Sequence, residues 1–224
     1  MKHRYEAITG EIFRVGGAGL TAEEDAAVYL ICFQGRGALV DAGCGRSLDR
    51  LLANVRAAGC DPEAIELLLL THCHFDHTGG AAGLRQRLNL TVVAHQLDAV
   101  YIEAGDPQVT AAAWYGSQLS PVAVDRKLAG PEEAICLANR EIRAVHVPGH
   151  SPGSVVYLPS SEGNRVLFAQ DVHGPLHPDL LSEQAAYRRS LARMIGLAPD
   201  ILCEGHYGVF RDSAAAVDFI RSFL

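Results

Sequence analysis

Hydrophobic and polar positions along this chain follow two rhythms. Residues 5–9, 11–15, 26–33 and 37–40 form short stretches, most with β-branched or aromatic residues, between glycine-containing turns; they predict an opening β-meander. Leu48, Leu51, Leu52 and Val55 then recur at helical spacing, with Ser47 placed to cap the helix and Gly59 to end it. Residues 65–70 are apolar except for Glu66, the pattern of a strand covered on both faces. A helix over 80–88, a strand over 91–94 and a helix over 97–103 follow, whereas 106–125, which contains Trp114-Tyr115-Gly116, shows no clear rhythm.

The second half repeats the style. Strands are predicted over 141–147, 154–158, 165–169 and 201–203, an amphipathic helix over 183–195, and a closing helix from 213 to 219. Strands and helices interleave in both halves without a long Ser- or Pro-rich linker, which predicts a single α/β domain over residues 1–224, with two sheets packed inside helices.

Composition narrows the function classes. With 49% hydrophobic residues the chain can bury a substantial core. Its longest apolar runs, 26–33 and 67–70, fall short of the roughly 20 residues of a membrane helix, so no membrane partner is expected. A net charge of -7 with scattered Lys and Arg lacks the clustered basic footprint of a nucleic-acid binder. The six cysteines form no Cys-x-x-Cys pair and no apolar export signal is read at the start, so reduced thiols and a cytoplasmic location are expected, with no glycan role for the Asn89-Leu90-Thr91 sequon.

The chemistry concentrates at residues 71–80, Thr-His-Cys-His-Phe-Asp-His-Thr-Gly-Gly. His72 and His74, one residue apart, project the same way from an extended segment, and Asp76-His77 can wrap around a second point. Imidazole and carboxylate suit zinc, iron or manganese, and three protein ligands per ion leave a position for water. Four such residues directly after a buried strand serve no packing purpose. Cys73 alternates with the two histidines and is expected to point into the packing, while Gly79-Gly80 is expected to let the backbone approach the metal and open a helix whose N-terminus faces the site.

The segment resembles the His-x-His-x-Asp-His signature of the metallo-β-lactamase superfamily. Val147-Pro148-Gly149-His150-Ser151-Pro152-Gly153 resembles that family's Pro-Gly-His turn, Asp171 stands where its bridging aspartate follows a strand, Cys203-Glu204-Gly205-His206 is similar to its last histidine motif, and Asp41-Ala42-Gly43 to its Asp-x-Gly. The likeness runs from about residue 10 to 210. It implies a four-layer αβ/βα sandwich and two divalent metal ions, zinc first with iron or manganese as alternatives. His72, His74 and His150 would hold one ion and Asp76, His77 and His206 the other, with Asp171 bridging and Asp41 supporting the loop.

The resemblance also implies a reaction: a metal-bridging hydroxide cleaves an ester-like bond, a thioester or lactone, in a small-molecule substrate. Asp76 would be catalytic as well as a ligand, orienting the water and returning a proton to the leaving group. Ser151 and Ser154 are then turn residues. The layout is similar to hydroxyacylglutathione hydrolases (glyoxalase II). Quorum-quenching lactonases share the His-x-His-Phe-Asp-His stretch but carry tyrosine where this chain has Gly174. Persulfide dioxygenases, which use one iron and oxygen, are the rival class, and phosphodiester hydrolysis on the same scaffold is a further alternative. His173, two residues past Asp171, is the expected substrate-contacting catalytic residue, with His177, Tyr207, Trp114 and Tyr115 as pocket candidates. A homodimer is compatible with these readings.

Overall fold

In strand β3 (Val28–Phe33) Tyr29 and Ile31 face one way and Val28 and Leu30 the other, and both sets are buried; the strand therefore has a hydrophobic layer on each side. The computed structural model describes residues 4–169 and 171–224. Around β3 the first sheet runs in chain order: β1 (Glu6–Ala7), β2 (Ile12–Gly16), β3, β4 (Arg36–Val40), β5 (Ile65–Leu69), β6 (Thr91–His95) and β7 (Arg126–Leu128). The pairs from β1 to β4 are antiparallel, and those from β4 to β7 are parallel.

Parallel neighbours need crossovers, supplied here by α1 (Leu48–Ala57), by α2 (Phe75–Thr78) with α3 (Ala81–Arg87), and by α4 (Gln96–Ala104). Leu51 and Val55 of α1, Leu84 of α3 and Ile102 of α4 bury against Leu30, Leu39, Leu68 and Val92 on the outer face of the sheet. Ser47 occupies the N-cap of α1 without a side-chain cap hydrogen bond, a departure from the sequence expectation, whereas Gly59, at φ +91°, turns the chain away as expected.

The second sheet contains β8 (Glu132–Leu137), β9 (Arg140–His146), β10 (Val155–Ser161), β11 (Asn164–Phe168), β12 (Ile201–Cys203) and β13 (Val209–Phe210), in the order β13-β12-β11-β10-β9-β8. Helix α5 (Gln184–Gly196) crosses between the parallel strands β11 and β12, and α6 (Ser213–Arg221) packs beside it. Tyr187, Leu191, Met194 and Ile220 cover the outer face of this sheet, while Tyr157, Val166 and Phe168 meet Tyr29, Ile31 and Val40 of the first sheet in a central core. The four layers are helix, sheet, sheet and helix, as the resemblance implied. Strands β7, β8 and β13 lie outside the predicted elements; β7 and β8 are sheet edges rich in Glu, Lys and Arg, which mask the apolar rhythm.

The sheets are stitched at one end. Tyr29 Oη donates to the Glu204 carbonyl (2.7 Å), Tyr157 Oη to that of Leu70 (2.8 Å), and the Ala27 amide to that of Gly205 (2.7 Å). The loops that follow β4, β5, β11 and β12 gather there.

Candidate metal centre

Asp41 ends β4 in the left-handed region, at φ +63°, and its carboxylate accepts from the Thr71 amide (2.8 Å), the Thr71 hydroxyl (2.8 Å) and His77 Nδ1 (2.7 Å). Thr71 Oγ1, committed as donor to Asp41, accepts from His72 Nδ1 at 3.0 Å. His150 Nδ1 donates to the Pro175 carbonyl at 3.1 Å. Each of these three imidazoles is tied through Nδ1, which turns Nε2 into the donor atom available to a ligand.

Those atoms converge. His72 Nε2 lies 3.0 Å from His74 Nδ1 and 3.3 Å from His150 Nε2, and Asp171 Oδ2 lies 3.5 Å from His150 Nε2. On its other side Asp171 Oδ1 lies 3.0 Å from His77 Nε2 and 3.4 Å from His206 Nε2, and Asp76 Oδ2 lies 3.1 Å from His206 Nε2. Two four-residue sets result, His72-His74-His150-Asp171 and Asp76-His77-Asp171-His206, with donor atoms in each within 4.8 Å of one another. All seven predicted ligand positions are therefore brought together, and Asp171 stands between the sets.

The sets differ electrostatically. Burial, followed by the positive charge that neighbouring histidines would carry, holds His72 well below the usual imidazole range; burial first and His150 next push His74 down to about 3, and burial lowers His150 as well. In the second set burial is again the largest influence and pulls downward, but the carboxylates of Asp171, Asp76 and Asp41 outweigh it at His77, which lies well above its ordinary value. The carboxylates of Asp171 and Asp76, close to its Nε2, do the same for His206, raised to about 10. Burial would raise Asp76 and Asp171, yet His77 and His206 together hold both low.

The residues fit divalent ions. His77 Nε2 and Asp171 Oδ1 are buried and approach to 3.0 Å without hydrogen-bond geometry, so two polar atoms are left unsatisfied at the point where a cation would satisfy both. Neutral imidazoles and carboxylates are the donor types of zinc, iron and manganese sites.

The sequence profile described as the metallo-beta-lactamase superfamily matches residues 22–206. The chain belongs to this superfamily. It is similar to a probable metallo-hydrolase of Bacillus subtilis, with 28% identity over 75% of this chain and 74% of that protein. It is also similar to a hydroxyacylglutathione hydrolase of Anaeromyxobacter dehalogenans, with 35% identity over 59% of this chain and 42% of that protein. Among solved structures, a class B3 di-zinc metallo-beta-lactamase from an Alaskan soil metagenome superposes with a TM-score of 0.75 at 25% identity, covering 91% of this chain and 78% of that one.

Within this superfamily scaffold, supporting residues that the sequence did not single out hold the ligand loops. Asp98, buried on α4, accepts from the Cys73 amide (2.9 Å), the Ser151 hydroxyl (2.6 Å) and the Gly153 amide (2.6 Å), tying the loop of His72 and His74 to the turn of His150. Glu204, fully buried, accepts from the Val172 amide (3.1 Å), His173 Nδ1 (2.9 Å), the His206 amide (2.6 Å) and the Tyr207 amide (2.7 Å). Local patterning offers no signal for Asp98. Glu204 lies within Cys203-Glu204-Gly205-His206, but only its burial and its partners reveal its work.

Gly79-Gly80 requires a correction. A Cβ at Gly79 would come within 2.7 Å of the Cys44 carbonyl oxygen, and one at Gly80 within 2.3 Å of that of Ala42; the glycines admit the Asp41–Gly45 loop rather than a metal ion. Gly205 is the glycine that crowds the centre, where a Cβ would lie 2.5 Å from Asp171 Oδ1. Cys73 is buried among apolar side chains beneath the first sheet, as its alternation predicts.

A cleft of about 160 Å³ opens over the centre, walled by Trp114, Tyr115, Pro175, Leu180 and His173, with Asp76, Asp171 and His206 at its base. His177 lies outside that wall and packs edge-on against Trp114, and Tyr207 is exposed and packs on His173. Among the described residues no helix is long and apolar enough to cross a membrane.

Proposed function

We propose that this chain is a metal-dependent hydrolase that cleaves an ester-like bond, thioester or lactone, in a small molecule. The observation that carries the reading is the position of Asp171, whose two carboxylate oxygens address two separate donor sets at the base of one cleft. His72, His74 and His150 would hold one divalent ion, Asp76, His77 and His206 the second, and Asp171 both, with zinc as the expected metal. Ions in such sites supply an activated water near neutral pH and polarise a substrate carbonyl.

The protein's own groups do the remaining work. Asp76 orients the water and carries a proton to the leaving group, with His206 beside its carboxylate at 3.1 Å. His173, anchored by Glu204, faces the substrate. Trp114, Pro175 and Leu180 form an apolar wall that excludes bulk water from the reacting bond. The small cleft and the net charge of -7 favour a small molecule over nucleic acid.

The test is elemental analysis of protein purified without added metal, combined with turnover on thioester, lactone, β-lactam and phosphodiester substrates. Two zinc ions per chain with thioester or lactone turnover is the expected result. One iron per chain, with oxygen consumed and sulfite formed from a persulfide, would replace the hydrolase with a dioxygenase.

A further inference from the structure

Helix α5 is fastened to the metal centre at several points near its N-terminus. The Glu183 amide donates to the Gly149 carbonyl (2.8 Å), the Ser182 hydroxyl donates to the His150 carbonyl (2.7 Å), and the buried Tyr187 hydroxyl donates to the Val172 carbonyl. Gly149, at φ +132°, lies so close to the helix that a Cβ there would sit 2.1 Å from the Tyr187 amide nitrogen. The residue after Tyr187 is therefore held in register with His150 and His173. That residue is Arg188.

Arg188 lines a second cleft, of about 240 Å³, together with Gly174, Leu176, Gln184 and Phe223. His173 lines both this cleft and the one over Asp171, so the two are neighbours at that residue. Among the described residues, neighbouring Arg189 pairs with Glu183 at 3.6 Å and Arg193 with Glu132 at 2.9 Å, whereas Arg188 has no carboxylate within ion-pair distance. An unpaired guanidinium beside a side-chain amide offers a fork of donors that matches a carboxylate or phosphate. On a chain of net charge -7, whose overall field repels anions, an exposed cation beside the cleft over Asp171 is a local point of attraction for an anionic group.

We propose that the cleft at Arg188 is a second arm of the active site, which binds an anionic group, carboxylate or phosphate, at the far end of the substrate's leaving group. The proposal rests on the hydrolase reading above. The acyl part lies against Trp114 and Leu180, the scissile bond over Asp171, and the leaving group passes His173 to reach Arg188.

The test compares thioesters that share one acyl group and differ in the thiol: glutathione, bearing carboxylates; coenzyme A, bearing phosphates; and neutral N-acetylcysteamine. In Arg188→Glu, kcat/KM for one of the anionic thioesters should fall about tenfold or more, chiefly through KM, while the N-acetylcysteamine thioester changes by less than about twofold; Arg188→Lys should keep part of the preference. Which anionic thioester responds identifies carboxylate or phosphate. Calorimetric binding of S-hexylglutathione and S-hexyl-coenzyme A to the metal-loaded protein, with zinc content measured alongside, reads the arm without turnover. Binding to wild type that is lost in Arg188→Glu at equal zinc content supports the arm even if no thioester is hydrolysed, in which case only the hydrolase reading fails. Equal losses on neutral and anionic thioesters, or anionic thioethers that bind neither protein or bind both alike, overturn it.

Discussion

Asp41 Oδ2 accepts a 2.7 Å hydrogen bond from His77 Nδ1, and the same carboxylate holds the Thr71 side chain that in turn orients His72. One aspartate outside both donor sets thus aims a histidine in each. Replacing it with Asn keeps a residue that tolerates φ +63° but removes the charge. Asp41→Asn should weaken metal affinity about 10- to 100-fold with little change in fold, read by competition with a chelating dye. Unchanged affinity would remove Asp41 from the metal centre.

Gly205→Ala tests how tightly the centre is enclosed. The added Cβ would lie 2.5 Å from Asp171 Oδ1 and 3.1 Å from His77 Cε1. Metal content should fall from two ions to one or none per chain while circular dichroism stays native. Two tightly held ions in the variant would contradict the packing described.

His173→Ala should lower kcat/KM on the preferred substrate by about 10- to 100-fold and leave metal content intact, because His173 belongs to neither of the two four-residue sets. Glu204→Gln should reproduce part of that loss by loosening the Nδ1 anchor. If His173→Ala left every kinetic constant unchanged, the imidazole would have no role in the reaction.

Asp98→Ala should cost stability without touching a ligand. It leaves the buried Cys73 amide, Gly153 amide and Ser151 hydroxyl without their acceptor, a loss of about 3 kcal/mol, measured by urea denaturation of the chelator-treated protein. A change below about 1 kcal/mol would mean that the two ligand loops are held by other contacts.

His95 supplies a pH dependence remote from the two donor sets. Its ring stacks on His146 at 3.8 Å, and burial first, with His146 next, lowers it from 6.5 to about 4. The folded state therefore binds fewer protons than the unfolded chain between those values. The stability contributed by neutral His95 is fully present above 6.5 and is lost as pH falls through about 4. His95→Asn retains an acceptor for the N-terminus of α4 and removes the titration. From about pH 7 to pH 4.5 the metal-free variant should lose less stability than metal-free wild type, by on the order of 1–2 kcal/mol. Parallel pH curves would dismiss His95 as the titrating group.

Local pattern determined a good part of this protein. The short apolar stretch that becomes β3, the both-face apolar run of β5 and the helical spacing of Leu48, Leu51, Leu52 and Val55 follow from period and hydrophobicity, which are properties of neighbouring residues. The donor types were legible for the same reason: His72, His74, Asp76 and His77 sit within six positions, and ligand chemistry belongs to the side chain itself. What only the tertiary structure decided is which distant groups meet. Asp98 reaches across 53 positions to Ser151, Glu204 across 31 to His173, and Gly79-Gly80 yields to the Asp41–Gly45 loop rather than to a metal. A buried carboxylate takes its role from the donors that folding places around it, and a glycine from the backbone pressed against it. Neither is written in the spacing of adjacent residues, because both depend on loops that converge only when the two sheets close on a common core.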